Sequence, residues 1–198
     1  MPQRIIFPRK GEVILEDFEL PSLRTQDIQI RTRYSLMSIG TETTILNQEY
    51  DADTHFAERF TFPQLKTGVQ AVGYVEEIGP DVKDLKVGDH VFMRMAHGSH
   101  QVIAESECSL IPSDIDLKEA CWCGLAKTAF RAAWAGNFSS INQVLIIGAG
   151  PVGQMTVRWA NAFGVESILI NDLSTFRLEQ AVLGGATATL VGTIKSQV

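Results

Sequence analysis

Residues 144–147 are four consecutive apolar side chains that run directly into Gly148-Ala149-Gly150-Pro151-Val152-Gly153, and a segment of helical composition follows. Strand, glycine-spaced turn and helix in that order suit the binding of a dinucleotide. Gly148 allows the tight turn, Gly150 lets a pyrophosphate approach the backbone, and Gly153 lets the helix pack against the strand. Pro151 and Val152 open that helix. Proline is at home in the first turn, where its missing N–H costs no hydrogen bond. The unpaired amides and positive dipole end of the helix then face the phosphates. A glycine turn of this kind also occurs in purely structural βαβ units, so its surroundings carry the decision.

Those surroundings fit. A second apolar strand, residues 167–170, closes on Asn171-Asp172, and Asp172 lies 19 residues beyond Gly153. A carboxylate there accepts hydrogen bonds from the ribose hydroxyls of adenosine and repels a 2′-phosphate, which favours NAD(H) over NADP(H). Asp172 has a second reading, as the cap of the next helix. Arg177, five residues further on, either lies over the adenosine or is a solvated helix-face arginine. A helix over 174–183, a Gly184-Gly185 stop and a third strand over 187–191 complete a βαβαβ pattern.

Metal and thiol chemistry finds less support. The three cysteines, Cys108, Cys121 and Cys123, are too few for a disulfide framework and suggest reduced thiols in a cytoplasmic protein. Cys121-Trp122-Cys123 falls on an alanine-rich helical segment, where buried structural thiols are expected. His97-Gly98-Ser99-His100 has a metal-like spacing but falls at a turn, where surface histidines are expected.

The elements that position these residues are of two kinds. Residues 1–110 read as short strands, at 4–7, 12–20, 28–36, 71–78, 90–93 and 100–104, separated by turn clusters such as Gly79-Pro80-Asp81. The Ile-Gln-Ile-Arg-Thr-Arg run at 28–33 alternates with the period of a half-buried strand. Residues 46–66 lack periodicity and read as a long loop, with Tyr50 on a possible lid. A helix is expected over 117–135, then a break at 137–140. The net charge of −6 argues against nucleic acid or an anionic membrane as partner, and no apolar run is long enough to span a bilayer.

In this order the motifs resemble the medium-chain dehydrogenase/reductase family, which includes the zinc-type alcohol dehydrogenases and the quinone reductases. Gly40-Thr41-Glu42 is similar to that family's Gly-Ser/Thr-Asp/Glu tripeptide in the substrate cleft. Residues 72–79 with 87–91, Leu110-Ile111-Pro112 and residues 127–130 match further family positions. The resemblance covers the whole chain. It implies an α/β protein in two parts, a GroES-like β-barrel domain with linking helix over 1–137 and the first βαβαβ half of a Rossmann fold over 138–198.

The resemblance also implies NAD(H)-dependent hydride transfer on a small alcohol, carbonyl or enone. Thr41 matches a position that hydrogen-bonds substrate oxygen, with Ser38, Thr44 and Gln70 as further polar groups, and Thr128 is placed on the nicotinamide side. Zinc is not expected. The family's cysteine ligand is replaced by Ile39, its Gly-His-Glu by Gly68-Val69-Gln70, and the lobe that holds a structural zinc is missing. A non-catalytic nucleotide-binding module derived from the family is the alternative. With only the adenosine half of the nucleotide fold in view, the strand at 144–147 is expected to form an uncovered apolar edge, met by self-association or a completing chain.

Overall fold

The computed structural model describes residues 1–140 and 143–194, so the last four residues of the expected second domain lie outside it. The chain divides into two compact units, Met1–Trp122 and Cys123–Val198.

The first unit is antiparallel. Its strands are β1 (Gln3–Phe7), β2 (Ile14–Asp17), β3 (Asp27–Ser35), β4 (Leu65–Lys66), β5 (Ala71–Ile78), β6 (His90–Met93), β7 (His100–Ala104) and β8 (Cys108–Leu110). Three of them form a small sheet in the order β2-β1-β4, and five a larger one in the order β7-β3-β5-β6-β8. The segment around residues 97–99 stitches the two together. Ile5 N–H donates to His97 O at 3.0 Å, and Ser99 N–H donates to Gln3 O at 2.7 Å.

The alternation at 28–33 comes out as expected. Ile28 and Ile30 are fully buried, while Arg31 and Arg33 are exposed. Those isoleucines pack with Ala71, Val75, Val91 and Met93 in the main core, each contributing about 1.5–3 kcal/mol by leaving water. A smaller cluster joins Val72, Ile111 and Cys121, with Tyr34, Phe92 and Leu117 against it.

Two expectations for this unit need correction. The stretch 46–66 is not one loop. Helix α1 (Ile39–Asn47) enters it, and helix α2 (His55–Arg59) and strand β4 lie within it. Tyr50 is tied down there, with its hydroxyl donating to Phe60 O at 2.9 Å and its ring 6.0 Å from that of Phe56. Local ring packing, which carries no periodic signal, organises the segment.

The helix expected over 117–135 is broken into α3 (Leu117–Ala120) and α4 (Cys123–Ala135). Cys121 is drawn into the core of the first unit. The chain tightens around it, with Trp122 N–H donating to Glu119 O at 3.0 Å.

In the second unit α4 packs on α5 (Pro151–Ala162). The Phe130 ring meets Trp159 edge-on at 4.9 Å, and Trp159 Nε1–H donates to Ala126 O at 2.8 Å. The sheet is parallel, in the order β11-β10-β9, from β9 (Gln143–Ile147), β10 (Ser167–Asp172) and β11 (Ala188–Val191), with helix α6 (Thr175–Leu183) between the last two. Ile146, Val157, Ile168, Ile170 and Leu178 form its core. Among the described strands β9 lies at an edge, with Leu145 and Ile147 exposed. No described helix is long and apolar enough to cross a membrane.

Candidate functional site

The glycine turn joins β9 to α5. Gly148 has φ +93°, the left-handed region that favours glycine, and its N–H donates to Asn171 O at 2.8 Å. Gly150 is the residue before the helix, and no side chain caps the first turn that Pro151 and Val152 begin. A side chain added at Gly150 would meet no protein atom within 4 Å. At Gly153 it would lie 2.0 Å from Gly148 O. One glycine therefore faces open space beside uncapped amides, and the other is held by packing. This is the division of labour that a pyrophosphate at a helix N-terminus requires.

Asp172 ends β10 next to the turn. Its Oδ2 accepts from Ala149 N–H at 2.7 Å and its Oδ1 from Ser174 N–H at 2.8 Å. The Ser174 amide, with help from Ala149 and the Arg177 guanidinium and against partial burial, holds the carboxyl below the usual aspartate range. Each oxygen retains accepting capacity, so a ribose hydroxyl can still be received. The cap of α6 is Ser174, not Asp172. Arg177 is more than half exposed, and its guanidinium lies 3.9 Å from Asp172 Oδ2.

Gln154, which sequence reasoning passed over, laces the site together. Its Nε2 donates to Ala149 O at 3.1 Å and to Arg177 O at 2.7 Å. Thr128 is an exposed residue of α4 whose hydroxyl donates to Gly124 O at 3.1 Å.

In the first unit, α1 carries Thr41 outward and Glu42 inward. Glu42 is 2% exposed and receives three protein donors or ring partners. Its Oε1 accepts from Ser38 N–H at 2.7 Å, and its Oε2 accepts from Thr67 Oγ1 at 2.7 Å and meets His97 Nε2 at 2.9 Å. Burial pushes the carboxyl up, but the His97, Thr67 and Ser38 hydrogen bonds outweigh it and hold the group below the usual glutamate range. The far ring nitrogen, His97 Nδ1, lies 2.8 Å from Ser35 Oγ.

The expected surface histidine is therefore buried in a hydrogen-bonded network. Gly68 makes room for it. At φ +132° its missing side chain would stand 2.6 Å from His97 N.

Thr41 is exposed, with its Oγ1 3.4 Å from Ser38 Oγ. Gln70 is 1% exposed, and neither its Oε1 nor its Nε2 has a hydrogen-bond partner. An amide left in that state costs about 1–3 kcal/mol, which marks it as a group with unmet bonding capacity.

The residues at the zinc-ligand positions do not fit a metal. Ile39 is apolar and 60% exposed, Val69 offers no donor atom, and Gln70 carries no charge. Cys121 is buried and its thiol is pushed up by that burial, while Cys123 is exposed rather than buried as expected. Among the described residues, no group of three or more His, Cys, Asp or Glu side chains is arranged to hold an ion.

In the chain, an antiparallel unit is thus followed by a parallel βαβαβ unit with a glycine turn. Residues 25–144 match the family model described as the alcohol dehydrogenase GroES-like domain, and the chain belongs to that family. It is 27% identical to sorbitol dehydrogenase of Arabidopsis thaliana, over 87% of this chain and 54% of that protein. Against D-xylulose reductase A of Aspergillus oryzae it is 26% identical, over 94% of this chain and 60% of the relative. The chain thus spans little more than half the length of these curated relatives. Its fold is similar to that of Escherichia coli quinone oxidoreductase complexed with NADPH. There the TM-score is 0.75 at 21% identity, covering 95% of this chain and 58% of that one.

Proposed function

We propose that this chain is part of an NAD(H)-dependent oxidoreductase that moves hydride to or from a small alcohol, carbonyl or enone without zinc. The observation that carries the reading is the turn at Gly148–Gly153, with open space at Gly150 beside uncapped amides and the Asp172 carboxylate at the end of the neighbouring strand. When bound, the dinucleotide supplies or takes the hydride.

The chain's own residues bind and orient. The α5 amides receive the pyrophosphate, and Asp172 receives the adenosine ribose. Its ionised carboxylate repels a 2′-phosphate, which supports NAD(H) over NADP(H). Thr41, exposed at the start of α1, donates to the substrate oxygen, with Ser38 beside it and Gln70 as a further amide donor. Hydrogen-bond donors of this kind suffice where charge develops on a conjugated oxygen. Ile39, Val69 and Gln70, with no thiolate, imidazole or carboxylate among them, support chemistry that does not depend on a metal.

The test is a fluorescence titration of the chain with NADH and with NADPH. NADH is expected to bind more tightly, and Asp172→Ala to abolish the difference. Equal affinities in the unaltered chain would overturn the cofactor assignment. For the chemistry, NADH consumption on a carbonyl and enone panel should survive chelators and fall about 10²–10³-fold in Thr41→Val. Activity that chelators remove would overturn the zinc-free reading.

A further inference from the structure

Ser35, His97 and Glu42 form a continuous chain of hydrogen bonds that hydride transfer, as proposed above, does not use. Ser35 is exposed at the end of β3, whereas His97 and Glu42 are buried, at 4% and 2% exposure. Ser35 Oγ lies 2.8 Å from His97 Nδ1, and His97 Nε2 lies 2.9 Å from Glu42 Oε2.

The proton positions follow from the partners. Glu42 already accepts from Thr67 Oγ1 and Ser38 N–H. It is therefore the acceptor toward Nε2, which carries a hydrogen. In the neutral imidazole this leaves Nδ1 as an acceptor, and the Ser35 hydroxyl donates to it. A hydroxyl on a base that is itself oriented by a buried acid is the arrangement of an activated nucleophile, here with the two ring nitrogens in exchanged roles. Both supporting side chains are buried, and the imidazole is held between Glu42 on α1 and Ser35 at the end of β3. The only end of the chain that a ligand can reach is the serine.

We propose that Ser35 is a nucleophile, activated by His97 and oriented by Glu42, that takes acyl groups from small activated esters. Ser35 Oγ bonds to the carbonyl carbon as its proton passes to His97 Nδ1, and Glu42 stabilises the imidazolium. The C–O bond of the ester breaks, and the alcohol leaves with that proton. Water then attacks the acyl carbon and gives a proton to His97 Nδ1; the acyl C–Oγ bond breaks, Ser35 Oγ takes that proton back, and the acid is released. The uncapped first-turn amides of α1, at Ile39, Gly40 and Thr41, follow Ser35 on the same connection and are donors of the kind an oxyanion uses.

The test is incubation of the full chain with a fluorophosphonate, which forms an Oγ–P bond with loss of fluoride, followed by peptide mass spectrometry. A single adduct on Ser35 is expected. It should be absent in Ser35→Ala and form about 10²-fold or more slowly in His97→Gln, as for loss of a general base. The same ratio should separate the folded chain from the chain unfolded in urea. No adduct on Ser35, or equal rates in the folded and unfolded chain, would overturn the proposal. If circular dichroism shows that His97→Gln does not fold, the folded-to-unfolded ratio of the unaltered chain decides alone. Labelling needs no dinucleotide, so this outcome is independent of the oxidoreductase reading.

Discussion

A side chain at Gly153 would stand 2.0 Å from the carbonyl oxygen of Gly148, whereas one at Gly150 would touch nothing. The two glycines of one motif are therefore separable by experiment. Gly153→Ala is expected to destabilise the second unit by about 1–3 kcal/mol, the usual cost of overpacking, seen as a lowered midpoint in thermal melts. Gly150→Ala, at an ordinary φ of −69°, should leave the melt unchanged and weaken NADH binding at least tenfold. A Gly150→Ala chain that binds as well as the original would remove the nucleotide from this turn.

The Glu42 carboxyl is held below its usual range in the folded chain. A depressed carboxyl stabilises the fold fully above the ordinary glutamate value of about 4.3, and that contribution is lost as pH falls through the lower, folded value. Glu42→Gln sets an amide among three donors and should cost about 1.5–3 kcal/mol at pH 7. Urea unfolding of the two chains should differ at pH 7, and the difference should shrink as pH falls below the ordinary glutamate value of about 4.3. A difference independent of pH would show that packing, not charge, is what the substitution removes.

Much of this was readable in advance because its signals are local. The βαβαβ order, the glycine turn and Asp172 lie within one stretch whose periodicity and punctuation report the chain's own path. The alternation of Ile28 and Ile30 with polar neighbours likewise reported the face of β3. The His97–Glu42 pair left no such trace. Its members are 55 residues apart, and burial alone turns a turn-like histidine into a network member. The break at Cys121 was equally silent, since alanine-rich composition continues across it and only the core of the first unit pulls the side chain in.

The three thiols should differ sharply in reactivity. Burial, helped by Glu107 and Glu105, pushes Cys108 up to about 12, and burial also raises Cys121. Both remain protonated at neutral pH and are poor nucleophiles. Cys123 is exposed. Titration with a thiol reagent should show one fast group in the folded chain and three after unfolding, with the fast group absent in Cys123→Ser.

Strand β9 lies at an edge of the described sheet with Leu145 and Ile147 facing outward. Such an edge invites pairing with another strand, and we expect the chain to self-associate with rising concentration. Ile147→Lys should reduce that association in sedimentation experiments without lowering the melting midpoint. An Ile147→Lys chain as associated as the original would place the contact elsewhere.

The Ser38 amide donates its hydrogen to a carboxylate that solvent does not reach. Its exchange with deuterium therefore requires α1 to release the buried acid first. One backbone hydrogen, followed by NMR, acts as a clock for the opening of the whole Ser35–His97–Glu42 assembly.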